Sequence, residues 1–397
     1  MNKPIKKKVA IVGASAAGLY AAIFLKRNHP EDYVILIDQN DKIGKKVLAT
    51  GNGHCNLLNR GFRPNAFNCP SFMESALKRH PVSTLFDSLD SLGVKTMDVG
   101  DLVYPLSYSA ASYVRYLGNV LAKYGVHLML STKVFTYKVK EQVALETDKG
   151  PQLFDEVIFA VGGKSQSNLG SDGSLFSEFA KHGYQVNPLR PSLCPIRTLE
   201  PTKQLSGVRH KAMVALSING QTAYQERGEV LFKDDGLSGI AIFDCAHYLC
   251  RLNKGEKASI SLDLFPDIPT EALAEDLLEA SKDNPEFFLE AYLEKPLKDY
   301  CLKRAGFDKK TPQNRCEMSK FAQVLKELEF TFKELYPFAS SQVSAGGIDL
   351  AEVDESLRSK REKGIYFVGE CLDVDGLCGG FNLGWCLLSA LLVSEDQ

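Results

Sequence analysis

Between an apolar run over 9–12 and a helical pattern reaching about Asn28 lies Gly13-Ala14-Ser15-Ala16-Ala17-Gly18. It fits the dinucleotide fingerprint G-x-G-x-x-G at its first and third glycines and carries Ser15 at the second. Small residues there let the backbone approach a pyrophosphate, whose charge is met by free N–H groups at a helix N-terminus. Serine adds only a hydroxymethyl group to that approach. Asp38 follows Gly18 by 20 residues, at the end of a second apolar run, Tyr33–Ile37, where an acid accepts from ribose hydroxyls. Strand, glycine turn, helix, strand and acid in this order read as a dinucleotide-binding βαβ unit. They do not separate NAD from FAD.

Three further glycine-rich stretches carry polar chemistry. Gly44-Lys45-Lys46 leads to Thr50-Gly51-Asn52-Gly53-His54-Cys55-Asn56, where glycines at 51 and 53 permit positive φ and close approach to a flat or charged ligand. The same composition also suits a solvated basic loop. Ala160-Val161-Gly162-Gly163-Lys164-Ser165 closes a run of strand formers, with Gly170-Ser171-Asp172-Gly173 just behind it. Gly369-Glu370, Asp375-Gly376 and Cys378-Gly379-Gly380-Phe381-Asn382-Leu383 precede a buried helical pattern over 383–393. His54 and Tyr104 are the candidate proton-transfer groups, with simple hydrogen bonding and core packing as their competing roles. Cys378 reads as a small buried residue ahead of a reactive thiol. No C-x-x-C occurs and no metal site is expected.

These motifs need elements to hold them, and the composition allows it. The chain has 397 residues, 47 Lys plus Arg against 49 Asp plus Glu, 44% hydrophobic and 24% charged residues. That is globular, and it excludes disordered, collagen-like, coiled-coil and polytopic membrane classes. A net charge of −2 gives no overall footprint for nucleic acid, so no nucleic-acid partner is expected. Ten dispersed cysteines fit reduced thiols in a cytoplasm. The apolar stretch over 9–25, behind four lysines, is broken by Gly13, Ser15 and Gly18 and is shorter than the ~20 residues a membrane span needs. It reads as strand, turn and helix rather than as a signal peptide.

Helical patterns follow over 71–92 and Ala110–Tyr124, with strands expected at His127–Met129 and over 133–139. Prolines at 188, 191 and 195 mark a boundary near residue 187. Short strand-like segments fill 212–264, and a helical texture runs over 270–334. The expected fold class is α/β: a discontinuous Rossmann-like FAD-binding domain (1–187 and 337–397) with an inserted β-barrel-like unit (188–267) and a helical unit (268–336).

The cofactor in that expectation rests on a resemblance. The 44–56 stretch is similar to the G-K-K-x-L-x-[ST]-G-x-G-R-C-N motif of a bacterial FAD flavoprotein family that includes aminoacetone oxidase and flavoproteins implicated in bile-acid dehydroxylation. The segment from Gly364 to Leu383 resembles that family's closing G-L-Y-F-A-G-E-x-L-D-V-D-G-x-x-G-G-Y-N-L almost residue by residue. Weaker matches at Val103-Tyr104-Pro105 and over 228–239 keep the same order, so the resemblance spans nearly the whole chain. It implies FAD held by Gly13 and Gly18 at the pyrophosphate, by Asp38 at the adenosine ribose and by Gly162 and Gly163 at the adenine-side crossover. Ser15, Ala16, Ala17, Gln39, Lys46, Thr50, Gly51, Asn52, Gly53, Cys55, Asn56, Val134, Ala160, Gly369, Glu370 and Phe381 are implied along the ligand, with Asp375 in the flavin ribityl or phosphate region. Gly379, Gly380, Asn382 and Leu383 are implied to present backbone to the isoalloxazine, where the positive end of the following helix would favour the reduced state. His54 stands where the family has Arg, Val161 where it has Thr.

The resemblance further implies an FAD-dependent oxidoreductase exchanging a hydride with a small-molecule substrate, as an amine oxidase or as an NAD(P)H-linked reductase of an enone. NAD(P)H would bind only transiently, since no second glycine fingerprint appears over 190–340. An RNA-associated FAD protein and a flavin-binding protein without turnover are the alternatives. A basic face built from residues 251–310 would favour the former.

Overall fold

The computed structural model describes residues 6–285, 287–308 and 310–395. The chain forms two compact units: residues up to Pro191 together with those from Gln342 make one, and Ser192–Ser341 makes the other.

The first unit is built on a five-stranded parallel sheet in the order Ile365–Phe367, Glu156–Phe159, Lys8–Val12, Tyr33–Ile37, His127–Met129. Val9, Ala10, Ile11, Val34, Leu36, Ile37, Val157, Ile158 and Phe159 are buried, as expected of strands covered on both faces. Val12 pairs with both Ile37 and Phe159, so the three strand ends beside the first glycine turn lie side by side. The helix Ala16–Asn28 is buried from Ala16 to Leu25 between the sheet and the helix Phe381–Glu395, itself apolar nearly all round. Three small sheets complete the unit: Leu58–Asn59, Leu102–Pro105 and Thr96–Val99; Val134–Val139, Val143–Thr147 and Gly150–Phe154; and the pair Val186–Ser192 with Val343–Ile348.

The 71–92 pattern is two helices, Pro70–Arg79 and Val82–Ser91. Pro81 separates them because it has no N–H to continue the ladder and holds an extended ψ of 155°.

The second unit is a closed six-stranded antiparallel barrel, Ile196–Thr198, Gly236–Ser238, Gln221–Lys233, Arg209–Ile218, Ala258–Asp263 and Leu328–Leu335, the last pairing back onto the first. Val214, Leu216, Val230, Phe232, Ile260, Leu262 and Phe330 alternate inward and pack with Leu273, Leu277, Leu297, Phe321 and Leu325 of the helices. The inserted β and helical segments therefore share one core. Two local expectations change. Leu328–Leu335, read as helical, is the strand that closes the barrel, and Ile240–Leu249, read as strand-like, is a helix buried on most sides. All ten cysteines are free. Among the described residues no helix is long and apolar enough to cross a membrane, and no cluster suited to a metal occurs.

Candidate functional site

The sheet's strand ends open onto a cleft of about 930 Å³, part of it open to solvent. Gly13, at φ +113°, turns the chain from Lys8–Val12 into the helix Ala16–Asn28. A Cβ on Gly13 would stand 2.3 Å from the carbonyl oxygen of Ala160, and one on Gly18 would stand 1.8 Å from that of Gly13. Gly13 thus keeps bare backbone on the cleft, while Gly18 lets helix and strand touch behind it. Ser15 is the N-cap in extended conformation, its side chain makes no cap hydrogen bond, and the first turn holds no acid. The helix therefore presents an end without a side-chain cap, and the positive end of its dipole, to the cleft lined by Gly13, Ser15, Ala16 and Ala17.

Asp38 stands beside that turn. Its Oδ2 accepts the Ala14 N–H at 2.6 Å and its Oδ1 accepts the Asn40 N–H at 2.7 Å, leaving lone pairs on both oxygens for a hydroxyl donor. Gln39, Val134, Ala160 and Gly162 line the same end. Opposite them runs a strap over 169–175. Gln39 Nε2 donates to the Gly170 carbonyl at 2.6 Å, Asn40 Nδ2 to that of Leu169 at 3.3 Å, and Lys133 Nζ to Asp172 Oδ2 at 3.2 Å. Ser165, at the strap's root, is fully buried and bonds Ser344 Oγ through its N–H and its hydroxyl. Bonds to Ser174 and the Lys133 ammonium hold the Asp172 carboxyl below the usual range against the upward push of burial.

The charged pair at the cleft's other end is Lys46 and Glu370. Cys386 lies beside them, its thiol pushed up to about 12 by burial first and by Glu370 second. Gly369, at φ +67°, packs against Ala17, and a Cβ on Gly163 would meet Glu370 and Ser344, both at 2.5 Å. Asp375 is fully buried outside the cleft lining; its backbone exchanges hydrogen bonds with Asn68.

A second cluster gathers the remaining expected residues. Gly51 (φ +54°), Asn52 (φ +53°) and Gly53 (φ +86°) form a left-handed run, and after His54 (φ −99°) Cys55 (φ +62°) turns left-handed again with its N–H on the Thr50 carbonyl. The Asn56 amide, oriented by its surroundings, donates to the Val103 and Leu58 carbonyls and accepts the Gly380 N–H at 3.2 Å. Gly379 (φ +104°) and Gly380 (φ +94°) enter the helix Phe381–Glu395, and Asn59 Nδ2 donates to the Gly379 carbonyl at 2.8 Å. Asn382 serves the turn itself, its amide bridging the N–H and carbonyl of Gly376. Phe381 belongs to an aromatic core with Phe62 and Phe67, and Leu383 sits half-buried in the first helical turn. His54 stacks on Tyr108 with ring centroids 4.0 Å apart and its Nδ1 is 2.8 Å from the Tyr108 carbonyl oxygen. Tyr104 meets Tyr108 edge-on at 5.0 Å.

The expected residues thus fall into two groups, those on the cleft wall, Lys46 and Glu370 among them, and those around the 51–56 and 379–383 turns. Sequence reasoning missed Asn40, Lys45, Lys133, Asp172 and Cys386 as cleft residues. The G-S-D-G motif over 170–173 was the available signal for the strap. The lining fits FAD: a glycine cradle that a Cβ would fill, an uncapped helix end for a pyrophosphate and a carboxylate for a ribose.

The sequence matches the family model described as the HI0933-like protein Rossmann domain over residues 7–396. A 3-dehydro-bile acid delta(4,6)-reductase of Clostridium scindens is 29% identical over 401 residues, covering 98% of each chain. A ribosomal RNA dihydrouridine synthase of Haemophilus influenzae is 26% identical over 399 residues, covering 96% of each. Among solved structures, a 3-ketosteroid delta1-dehydrogenase from Sterolibacterium denitrificans shares the fold with a TM-score of 0.52 at 10% identity, covering 98% of each chain. The expectation that nucleic acid is no partner loses its support, since a relative alike from end to end is named for ribosomal RNA.

Proposed function

The chain belongs to the HI0933-like protein Rossmann domain family and is an FAD-dependent oxidoreductase; on that premise we propose that it reduces a carbon–carbon double bond conjugated to a carbonyl in a small organic molecule, with NAD(P)H as the source of electrons. The observation that carries this reading is the end-to-end match to a bile-acid reductase. A 3-dehydro-bile acid unsaturated at positions 4 and 6 is an enone, and the uracil ring of uridine presents the same grouping. A carbon–carbon double bond conjugated to a carbonyl is thus common to what both kinds of relative are named for.

A small molecule is preferred to RNA on charge. Residues 251–310 contain ten basic and thirteen acidic residues. Lys282, Lys295 and Lys298 pair with Glu279, Asp299 and Glu290. A basic stripe for a phosphate backbone would need the opposite balance.

In this reading Ser15 and Ala16 hold the pyrophosphate by backbone N–H groups at the turn that Gly13 keeps bare, Ala17 lines the wall beside them, and Asp38 takes the adenosine ribose hydroxyls. Gln39, Val134, Ala160 and Gly162 flank the adenosine, while the strap keeps water from that end. Lys46 and Glu370 bind the middle of the ligand, and the 51–56 and 379–383 turns hold its isoalloxazine. Bound FAD supplies reversible acceptance of a hydride.

The test is anaerobic spectroscopy of the purified FAD-loaded protein. Bleaching by NADH or NADPH followed by recolouring with a 3-oxo-4,6-diene steroid is expected. Bleaching by aminoacetone alone would make it an amine oxidase instead, and recolouring only by a uridine-containing RNA would move the substrate to nucleic acid.

A further inference from the structure

Resting on the enone reading above, we infer that Tyr104 is a catalytic residue, the acid that delivers a proton to the α-carbon of the substrate as hydride reaches the β-carbon. Tyr104 lies on the strand Leu102–Pro105, where residues two apart face the same side. On that side Leu102 Cδ2 is 3.2 Å from where a Cβ on Gly379 would stand, and Tyr104 Cε1 is 3.6 Å from the corresponding point on Gly51. One strand face therefore spans the two glycine turns assigned to the isoalloxazine. The neighbour between them, Val103, is fully buried on the other face.

Most neighbouring groups are otherwise engaged. Lys46 and Glu370 are committed to each other. His54 has its Nδ1 on the Tyr108 carbonyl and its ring stacked on Tyr108. Cys55 is fully buried and its thiol is pushed up to about 12 by desolvation. Asn56 and Asn59 are amides and release no proton. The Tyr104 hydroxyl makes no hydrogen bond among the described residues, and burial first, then Tyr108, raises its phenol above the ordinary value. It stays protonated through neutral pH with its O–H uncommitted. Tyr108, 40% exposed, meets its ring edge-on at 5.0 Å, so water reaching that pair can restore the proton.

The step balances. The substrate π bond breaks as a hydride from reduced FAD bonds to the β-carbon, and the enolate so formed takes the phenolic proton at its α-carbon. Water returns a proton to the tyrosinate. The substrate gains two electrons and two hydrogens, and reduced FAD becomes oxidised FAD.

Tyr104→Phe keeps the ring and removes the acid. Both proteins, loaded with FAD, are reduced by NADPH or dithionite and mixed anaerobically with a 3-oxo-4,6-diene steroid. The variant should be reoxidised about 100-fold more slowly, with unchanged reduction rate and unchanged affinity for the saturated ketone product, read from the flavin spectrum. Wild type should lose reoxidation rate at alkaline pH and slow in D2O, and the variant should show neither effect. Reoxidation of the variant at the wild-type rate, or the same pH and D2O responses in both, overturns the role of Tyr104. Failure of the wild type itself to be reoxidised by the dienone overturns the enone reading and the inference with it, a result seen before the variant is compared.

Discussion

Lys46 Nζ lies 3.0 Å from a carboxylate oxygen of Glu370, a partner 324 positions away in the chain. Their side chains are 15% and 17% exposed, and the other Glu370 oxygen accepts the Ser344 N–H at 2.9 Å. Three distant segments thus meet at one carboxylate on the cleft wall. Removing the cation strands that carboxylate in a largely desolvated place, which costs more than the pair contributes net. Lys46→Met should lower unfolding free energy by about 2 kcal/mol and weaken FAD binding about tenfold. Adding Glu370→Gln should recover part of the stability, as a urea-denaturation double-mutant cycle would measure.

Gly13→Ala should abolish tight FAD binding. The new Cβ meets the Ala160 carbonyl oxygen at 2.3 Å with the backbone held at φ +113°, so the turn must deform by about 1–3 kcal/mol of strain. Absorbance of the purified variant, compared with wild type at equal protein, reports the cofactor content.

Gln39→Ala combined with Lys133→Ala removes two of the strap's side-chain ties. FAD should leave about tenfold faster, a change of about 1.4 kcal/mol in the bound state, because both ties face the cleft and neither supports a core. The rate is read from the rise in flavin fluorescence after dilution. An unchanged rate would show that the strap does not retain the ligand.

Acid sensitivity should centre in part on Glu352. Its carboxylate, 8% exposed, accepts the Gln185 N–H at 3.0 Å and an Arg361 guanidinium N–H at 3.0 Å. Arg361 holds its carboxyl below the usual range, against the opposing push of burial and with help from Gln185. The unfolded value is about 4.3, so the stabilisation is complete above that pH and is lost as pH falls through the lower folded value. Glu352→Gln should cost about 1–3 kcal/mol at neutral pH and flatten the stability curve below about pH 4.3. Urea unfolding measured down that pH range checks both.

What could be read ahead of the structure follows from how local each signal is. Gly13, Gly18 and Asp38 lie within one βαβ unit, so turn chemistry and strand length carry them. Lys46–Glu370 and Lys133–Asp172 join residues 324 and 39 apart, and no periodicity announces an ion pair. Ile240–Leu249 hid as a helix because seven of its ten residues are buried, which erases the amphipathic pattern. Leu328–Leu335 did alternate, with Leu328 and Phe330 inward, but its charged residues continued the texture of the helices before it. Pro81 was the plain signal for two helices, and the apolar pattern running past it obscured the break.

The parallel sheet is finished by Ile365–Phe367, which pairs with Glu156–Phe159 across the intervening barrel unit. On a ribosome, the nucleotide crevice must wait, with one sheet edge uncovered, while the 150 residues of Ser192–Ser341 are translated. Glu370 and the helix Phe381–Glu395 reach the cleft wall only after that unit has been made, and a chain stalled before Ile365 would carry a bare strand Glu156–Phe159 open to pairing with another molecule.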